Sequence, residues 1–209
     1  MNLLCKAVSM ALLSAPMAAN AAYITTFTEG QTTTVAGATV FDFEGSLVKP
    51  GNYTGAGNVL DTSISGESAA PAGDTTNYYS VAWPQASGTG TFQADAGTSY
   101  NYFGLYWGSI DDYNTLSFYS NGSLLATITG KDVIASGTAL GDQTAAGSNR
   151  YVNFLFDTTF DRIDFSTTQF AFESDNHAFA TTSVPEPATL GLLGMGLLGA
   201  GLARRRRRQ

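Results

Sequence analysis

The chain has 209 residues, of which 13% are charged, and a formal net charge of −7 at pH 7. This charge is unevenly distributed, because half of the ten basic residues are consecutive arginines near the carboxyl end. Residues 22–183 contain four basic and 16 acidic residues, hence a formal net charge of −12. Such an acidic body is a poor partner for nucleic acid or an anionic membrane surface. Cations, neutral glycans and other proteins remain possible ligands.

Residues 1–21 have the features of a secretory signal peptide. An early basic residue, Lys6, is followed by the apolar residues 7–19 and by Ala19-Asn20-Ala21, a small-x-small cleavage site. We expect export through the Sec machinery and cleavage by signal peptidase before Ala22. The only cysteine, Cys5, lies in this segment, so the mature protein has none. A disulfide framework, thiol catalysis and cysteine-bound metals are thereby excluded.

Residues 22–183 have the length of one domain with a sizeable core, and their apolar residues follow a period of two. The pattern predicts an all-β fold, an antiparallel β-sandwich of jelly-roll-like type. Asn121-Gly122 between two apolar runs predicts a tight hairpin. Residues 49–76 contain few large apolar side chains and predict a long surface loop. Residues 131–135 are the one stretch of this body in which we expect a short helix. The clearest strand patterns cover residues 39–44, 80–83, 100–107, 115–119, 124–128, 151–156, 162–166 and 169–173.

Several acidic residues suggest a structural Ca²⁺ site. Asp42 and Glu44 are two apart in a predicted strand, so their carboxylates share one face. Since the first and last strands of a jelly roll often pair, these carboxylates could meet Glu173, Asp175 and Asn176. Calcium prefers such oxygen ligands. A solvated acidic face is an alternative, and a glycosidase pair using Asp42, Glu44 or Asp175 is another.

A second oxygen-rich stretch, Asp111-Asp112-Tyr113-Asn114, is a weaker candidate for calcium binding. It lacks the spacing and the terminal glutamate of an EF-hand.

Aromatic residues in the strand 100–107 divide between two faces. One face carries tyrosines and is a candidate platform for stacking on exopolysaccharide, although cross-strand packing is the alternative. The other face predicts a buried core. The tyrosine face consists of Tyr100, Tyr102 and Tyr106, and the core face of Phe103, Leu105 and Trp107.

The only histidine, His177, lies beside Asp175 and Asn176. One histidine does not make a Ser-His-Asp triad or a typical zinc site. We expect a surface or strand-end position for it and no enzymatic activity.

The carboxyl-terminal residues 184–209 combine three signals. Val184, Pro185, Glu186 and Pro187 form an extended segment that ends where a helix can begin. Residues 188–203 are uncharged, and a helix of this length covers ~24 Å, less than the ~30 Å hydrocarbon core. The pattern predicts an inner-membrane helix whose basic end stays in the cytoplasm, either a transient segment or an ordinary single-pass anchor. That end consists of Arg204, Arg205, Arg206, Arg207 and Arg208.

This tripartite tail resembles the sorting signal of exosortase-dependent surface proteins, the PEP-CTERM domain. The resemblance implies a Gram-negative bacterial export substrate that a membrane-embedded cysteine transpeptidase, exosortase, processes near Val184 to Pro187. The catalytic residues would belong to exosortase. The product would reach the cell surface or the extracellular matrix.

Three segments of the body, residues 102–111, 113–118 and 171–176, also resemble a group of exosortase-dependent surface proteins. That group has no assigned biochemical activity, so the resemblance supports a sandwich fold and surface localisation only.

Overall fold

The protein is described here from a computed structural model that covers residues 21–45, 49–134 and 141–183. The predicted signal peptide, apart from Ala21, and the carboxyl-terminal tail lie outside this range. The regular structure is almost entirely β. The strands are β1 (Tyr23–Thr28), β2 (Thr39–Phe41), β3 (Gly51–Gly55), β4 (Gly57–Leu60), β5 (Tyr78–Val81), β6 (Gly88–Ala94), β7 (Tyr100–Gly108), β8 (Asn114–Ser120), β9 (Ser123–Thr129), β10 (Arg150–Phe160), β11 (Arg162–Thr167) and β12 (Phe172–Ala180).

Two antiparallel sheets pack face to face, which confirms the predicted β-sandwich. The first sheet has the order β1-β10-β7-β12-β5-β4, and β2 also pairs with β12. The second sheet has the order β3-β6-β11-β8-β9. The chain crosses repeatedly between the sheets, as in the jelly-roll-like arrangement that the sequence predicts.

The predicted hairpin at Asn121-Gly122 joins β8 to β9. Both turn residues have positive φ angles, 47° and 80°, as a two-residue type I′ turn requires. The predicted short helix is present as α1 (Gly130–Val133). The Asp132 carboxylate accepts hydrogen bonds from the backbone and hydroxyl of Thr129 at the start of α1.

The prediction of a long loop over residues 49–76 is partly wrong, because β3 and β4 lie within it. These strands contain glycines where a neighbour comes too close for a side chain. A Cβ atom on Gly57 would lie 1.8 Å from the Tyr79 hydroxyl oxygen. In β3 and β4, the low content of large apolar residues therefore results from close packing around glycines and does not indicate an irregular chain.

The main core between the sheets is rich in aromatic rings. Phe103, Leu105 and Trp107 are fully buried there, as predicted. Trp107 stacks on Phe172 with ring centroids 4.6 Å apart. The Phe103 ring on β7 lies 5.9 Å from that of Phe165 on β11 of the second sheet. Side chains from both sheets therefore interlock across the layer.

The outer face of the seven-stranded sheet is also covered. Two segments lie over it: residues 29–38, which follow β1, and residues 61–77, which we call the cover segment. Tyr106 Oη donates a hydrogen bond to the carbonyl of Ala72 in the cover segment at 2.6 Å. The outer face consequently buries polar groups that an open sheet would expose to water.

Candidate functional site

Two buried carboxylates alternate with core residues along β12. Phe172 and Ser174 point into the sandwich, so Glu173 and Asp175 lie on the covered outer face. Their exposed fractions are 3% and 0%. The Ala69 backbone N–H of the cover segment donates to Glu173 Oε1 at 2.9 Å. Carboxylates buried to this degree usually have a charged or hydrogen-bonding partner for both oxygens.

Glu173 lines a polar cavity of about 210 Å³, which we call the acidic cavity. Asp111, Ser109 and Tyr113 line the same cavity and lie in or next to the loop that joins β7 to β8. Glu173 Oε2 and Ser109 Oγ are buried and have no hydrogen-bond partner among the described residues. Each is an oxygen that could accept a bond from a ligand in the cavity.

The pKa of Glu173 is raised to about 8, mainly by burial and to a smaller extent by the Asp111 carboxylate, while the hydrogen bond from Ala69 opposes the shift. Burial also raises the pKa of Asp111, and neighbouring Asp112 adds to this shift. Their surroundings therefore disfavour the ionised form of both carboxylates. A bound cation would stabilise the ionised forms.

Asp175 belongs to a separate acidic group. Burial raises its pKa to about 8, and the carboxylates of Asp74 and Asp42 add to the effect. Neither carboxylate oxygen of Asp175 has a hydrogen-bond partner among the described residues. Asp74 Oδ1 accepts a hydrogen bond from the Thr76 backbone at 2.9 Å, while its Oδ2 is buried beside Asp175.

The structure brings the ends of the predicted calcium site together only in part. β2 pairs with β12, with Phe41 opposite His177, and this pairing places Asp42 near Asp175. Glu44 instead accepts a hydrogen bond from the backbone of Asn77.

The other two predicted ligands also lie apart. Asn176 stands at a β-bulge, and its carbonyl accepts a bond from Tyr151 Oη. Glu173 lies in the acidic cavity. In the described ranges, no three side chains of the acid, histidine or cysteine type are placed to hold one metal ion.

The predicted set separates because β2 ends at Phe41. Phe43 has a φ of 60° and packs into the core, so residues 42–44 do not alternate as an extended strand would. Glu44 is thereby directed away from Asp42. The five predicted calcium ligands are therefore not brought together at one point.

The predicted tyrosine platform is not an exposed surface. Tyr102 and Tyr106 are 2% and 6% exposed, because the segments over the outer face cover them. Tyr102 Oη donates to Asn153 and also bonds Thr33. Tyr100 turns to the opposite side and packs against Phe179 in the main core. These tyrosines therefore pack and form hydrogen bonds within the fold, as the alternative interpretation of cross-strand packing expects.

A larger groove of about 590 Å³ lies beside β1 at the edge of the sheet. It is lined by Phe27, Glu29, Gln31 and Arg150, and Tyr106 of the predicted tyrosine face also lines it. The Arg150 guanidinium lies 4.4 Å from the centroid of the Phe27 ring. The groove thus combines an aromatic surface with charged and amide groups.

His177 is a core residue, so the expected surface position is wrong. Its exposed fraction is 0%, and its ring stacks on Phe165 at 5.1 Å. Tyr53 Oη lies 2.7 Å from Nδ1, and Ser174 Oγ lies 2.9 Å from Nε2. Both ring nitrogens are therefore occupied within the fold.

Asn149 is a further organising residue that the sequence did not indicate. Its Oδ1 accepts hydrogen bonds from the backbones of Ala72 and Ser109, each at 3.0 Å. The amide nitrogen donates to the Asp142 carbonyl at 2.8 Å. Asn149 thus connects the cover segment, the loop of the acidic cavity and the loop before β10. Its position before a predicted strand gave no signal of this role.

The three tail elements of residues 184–209 lie outside the described residues, and their identity rests on sequence. Residues 183–208 match the family model of the PEP-CTERM protein-sorting motif. The chain carries this motif. A PEP-CTERM motif makes exosortase its processing partner and implies export to the cell surface or the extracellular space. Within the described residues, no helix is long and apolar enough to cross a membrane.

Comparison with other proteins adds little to the PEP-CTERM match. No curated protein matches the chain. One similar solved structure is the crystal structure of the Agl-KA catalytic domain, with 13% identity and a TM-score of 0.38. The alignment covers 72% of this chain and 29% of that chain. A likeness of this size shows neither the fold nor an activity of this chain.

Proposed function

We propose that this chain is a non-catalytic surface or matrix protein whose sandwich, residues 22–183, is delivered by removable signals at both ends. The Sec machinery and signal peptidase would handle residues 1–21. Residues 188–203 would enter the inner membrane transiently, and the arginine cluster would stop translocation. Exosortase would then cut near Val184 to Pro187. The observation that carries this proposal is the sorting motif at residues 183–208.

The end of the sandwich supports processing at this position. β12 ends at Ala180, and Asn101 holds the backbone of Thr182 from both sides. Asn101 Nδ2 donates to the Thr182 carbonyl at 2.8 Å, and the Thr182 N–H donates to Oδ1 at 2.8 Å. Folded structure therefore reaches to within two residues of Val184. Cleavage after this clamp would leave the body intact.

A non-catalytic role fits the chemistry of the described residues. Both nitrogens of His177 are engaged in the core. The mature chain has no cysteine. Three carboxylates, Glu67, Asp111 and Glu173, line the acidic cavity, and oxygen-rich sites of this kind suit cation binding without catalysis.

A triple variant tests the delivery proposal. We expect Pro185→Ala, Glu186→Ala and Pro187→Ala together to leave the full-length chain in the membrane fraction, while wild-type protein appears outside the cell. Thr182→Ala is the matched control, because the clamp uses only the backbone of that residue. Equal release of the triple variant and the wild-type protein would overturn the proposal.

A second candidate function is retention of exopolysaccharide, and the groove beside β1 favours it. Phe27 is 48% exposed there and offers an aromatic surface next to the polar Glu29 and Gln31. Polysaccharide pull-down should weaken with Phe27→Ala and remain unchanged with Leu124→Ala. Leu124 is a suitable control because it is equally exposed, at 52%, on the other sheet. Unchanged retention of Phe27→Ala would remove this candidate.

A further inference from the structure

We propose that the acidic cavity binds one Ca²⁺ ion that fastens the β7–β8 loop and the cover segment to β12. The proposed ligands are Glu173 Oε2, the Asp111 carboxylate and Ser109 Oγ, with water completing the shell. The site combines one residue from each calcium candidate of the sequence, Glu173 from the first and Asp111 from the second, with Ser109, which neither included. It is also independent of the delivery signals.

Two buried oxygens lack partners and mark the position of the ion. Glu173 is 3% exposed and Ser109 is 5% exposed, yet Glu173 Oε2 and Ser109 Oγ have no hydrogen-bond partner among the described residues. A buried acceptor without a partner is costly to folding. Both residues line the same cavity as Asp111. One cation placed among them would satisfy all three groups.

No basic side chain among the residues that line the cavity neutralises its carboxylates. Lys131 pairs with Asp112 at 3.4 Å. Arg162 pairs with Asp164 on the five-stranded sheet, and Arg150 covers Phe27 beside the groove. A divalent ion would balance the two carboxylate charges of Glu173 and Asp111.

The donor chemistry favours calcium. All proposed protein ligands are oxygens, and the lining residues include neither histidine nor cysteine. Calcium takes six to eight oxygen ligands in flexible geometry, including water. A cavity of about 210 Å³ has room for several water molecules at ~30 Å³ each. Magnesium demands a tighter octahedral shell, and zinc prefers nitrogen or sulfur.

The backbone is shaped to bring the ligands together. Ser109, the first residue after β7, has a φ of 40°, and Tyr113 Oη at the other end of the loop donates to the Phe170 carbonyl just before β12 at 2.8 Å. The backbone of Gly141 lies against the Asp111 carboxylate, so that a Cβ atom there would be 2.3 Å from Oδ2. Gly141 also donates its N–H to the Ile110 carbonyl. A side chain at position 141 would displace Asp111.

Calcium would connect three parts of the sandwich at one point. Glu173 belongs to the central strand β12 and already binds Ala69 of the cover segment through Oε1. Asp111 and Ser109 belong to the loop between β7 and β8. The ion would join the second oxygen of Glu173 to this loop. For an exported protein, this cross-link would form where the calcium concentration is high.

Terbium luminescence tests the site directly in the full-length chain. Tyr113 lines the cavity and can sensitise a bound Tb³⁺ ion. We expect saturable Tb³⁺ emission that Ca²⁺ displaces, with a calcium Kd of about 10⁻⁴–10⁻³ M, as in extracellular modules. Glu173→Gln and Asp111→Asn should each weaken calcium binding at least tenfold. Asp175→Asn is the matched control, a buried carboxylate outside this cavity, and should bind as the wild type does.

Thermal unfolding with and without chelator provides the second measurement. The melting temperature of the wild-type chain should rise with Ca²⁺ and fall with EGTA. Should a carboxylate variant fail to fold, Ser109→Ala removes one ligand more mildly and should weaken binding severalfold. An unchanged melting temperature in the wild type, or full calcium affinity in Ser109→Ala and the folded carboxylate variants, would overturn the proposal.

Discussion

Tyr53 and His177 join the two sheets by a hydrogen bond through the core, with Oη and Nδ1 2.7 Å apart. Tyr53 lies on β3 of the five-stranded sheet, and His177 lies on β12 of the other. The same imidazole bonds Ser174 through Nε2. A polar side chain thus occupies the centre of an aromatic core because both of its nitrogens are satisfied there.

Removing the Tyr53 hydroxyl should destabilise the sandwich. Tyr53→Phe leaves His177 Nδ1 buried without a partner, which costs about 1–3 kcal/mol of unfolding free energy. Urea unfolding at pH 7 measures the difference. Tyr23→Phe is the control, since it removes a hydroxyl from a 38% exposed ring on the edge strand β1. Equal losses in the two variants would contradict a specific role for the Tyr53 bond.

The buried imidazole should also make stability depend on pH. Burial lowers the pKa of His177 to about 3 from the ordinary value of 6.5. Between these values the unfolded chain binds a proton that the folded chain does not, so this group makes stability fall as pH falls from 6.5 toward 3. The change is up to about 1.4 kcal/mol per pH unit.

His177→Gln isolates this contribution from those of the carboxylates. The variant should be less stable than wild type at pH 7, but it should lose less stability between pH 6.5 and pH 4.5. Urea unfolding at several pH values gives both slopes. Parallel curves for the two proteins would show that His177 does not titrate as described.

The aromatic core should dominate stability. Trp107 is fully buried and stacks on Phe172, so Trp107→Ala should cost about 3–5 kcal/mol. Leu124→Ala, at an exposed position on β9, should change stability by less than about 0.5 kcal/mol. Chemical denaturation of both variants tests this difference. A small effect of Trp107→Ala would mean that neighbouring core side chains move to fill the space that the indole leaves.

The Asn101 clamp should hold the carboxyl end of the sandwich. Asn101→Ala leaves the N–H and carbonyl of Thr182 without their partner, and we expect a loss of about 1–3 kcal/mol. Hydrogen exchange at the Thr182 amide should accelerate in the variant. Thr182→Ala keeps the clamp and should exchange at the wild-type rate. Slow exchange in both variants would show that other contacts hold this segment.

Alternation of apolar residues was sufficient to predict the sandwich and many of its core strands, but not β6, in which Phe92 is fully buried, or β12 beyond residue 173. Phe103, Leu105 and Trp107 alternate with residues of the other face, and a period of two has one simple structural explanation. Asn121-Gly122 likewise predicted its hairpin, because few other residue pairs tolerate two positive φ angles. Strands β3 and β4 escaped prediction since their glycines fit close neighbours and leave no apolar pattern.

The candidate site was less predictable because it depends on contacts distant in sequence. The period of two assigned Tyr102 and Tyr106 to one face correctly but could not show that residues 29–38 and 61–77 cover that face. The pairing of β2 with β12 was predicted, yet the turn at Phe43 separates Glu44 from Asp42. Only the folded chain brings Asp111 to the same cavity as Glu173.

The central claim is that the carboxyl-terminal signal is removed from an otherwise complete sandwich. Intact-mass measurement of the mature protein, from cells with and without exosortase, tests this claim most directly. We expect a carboxyl terminus near Val184 to Pro187 in cells with exosortase, and an uncleaved chain ending at Gln209 in cells without it. Mature protein that still carries Arg204 to Arg208 in cells with active exosortase would contradict the claim.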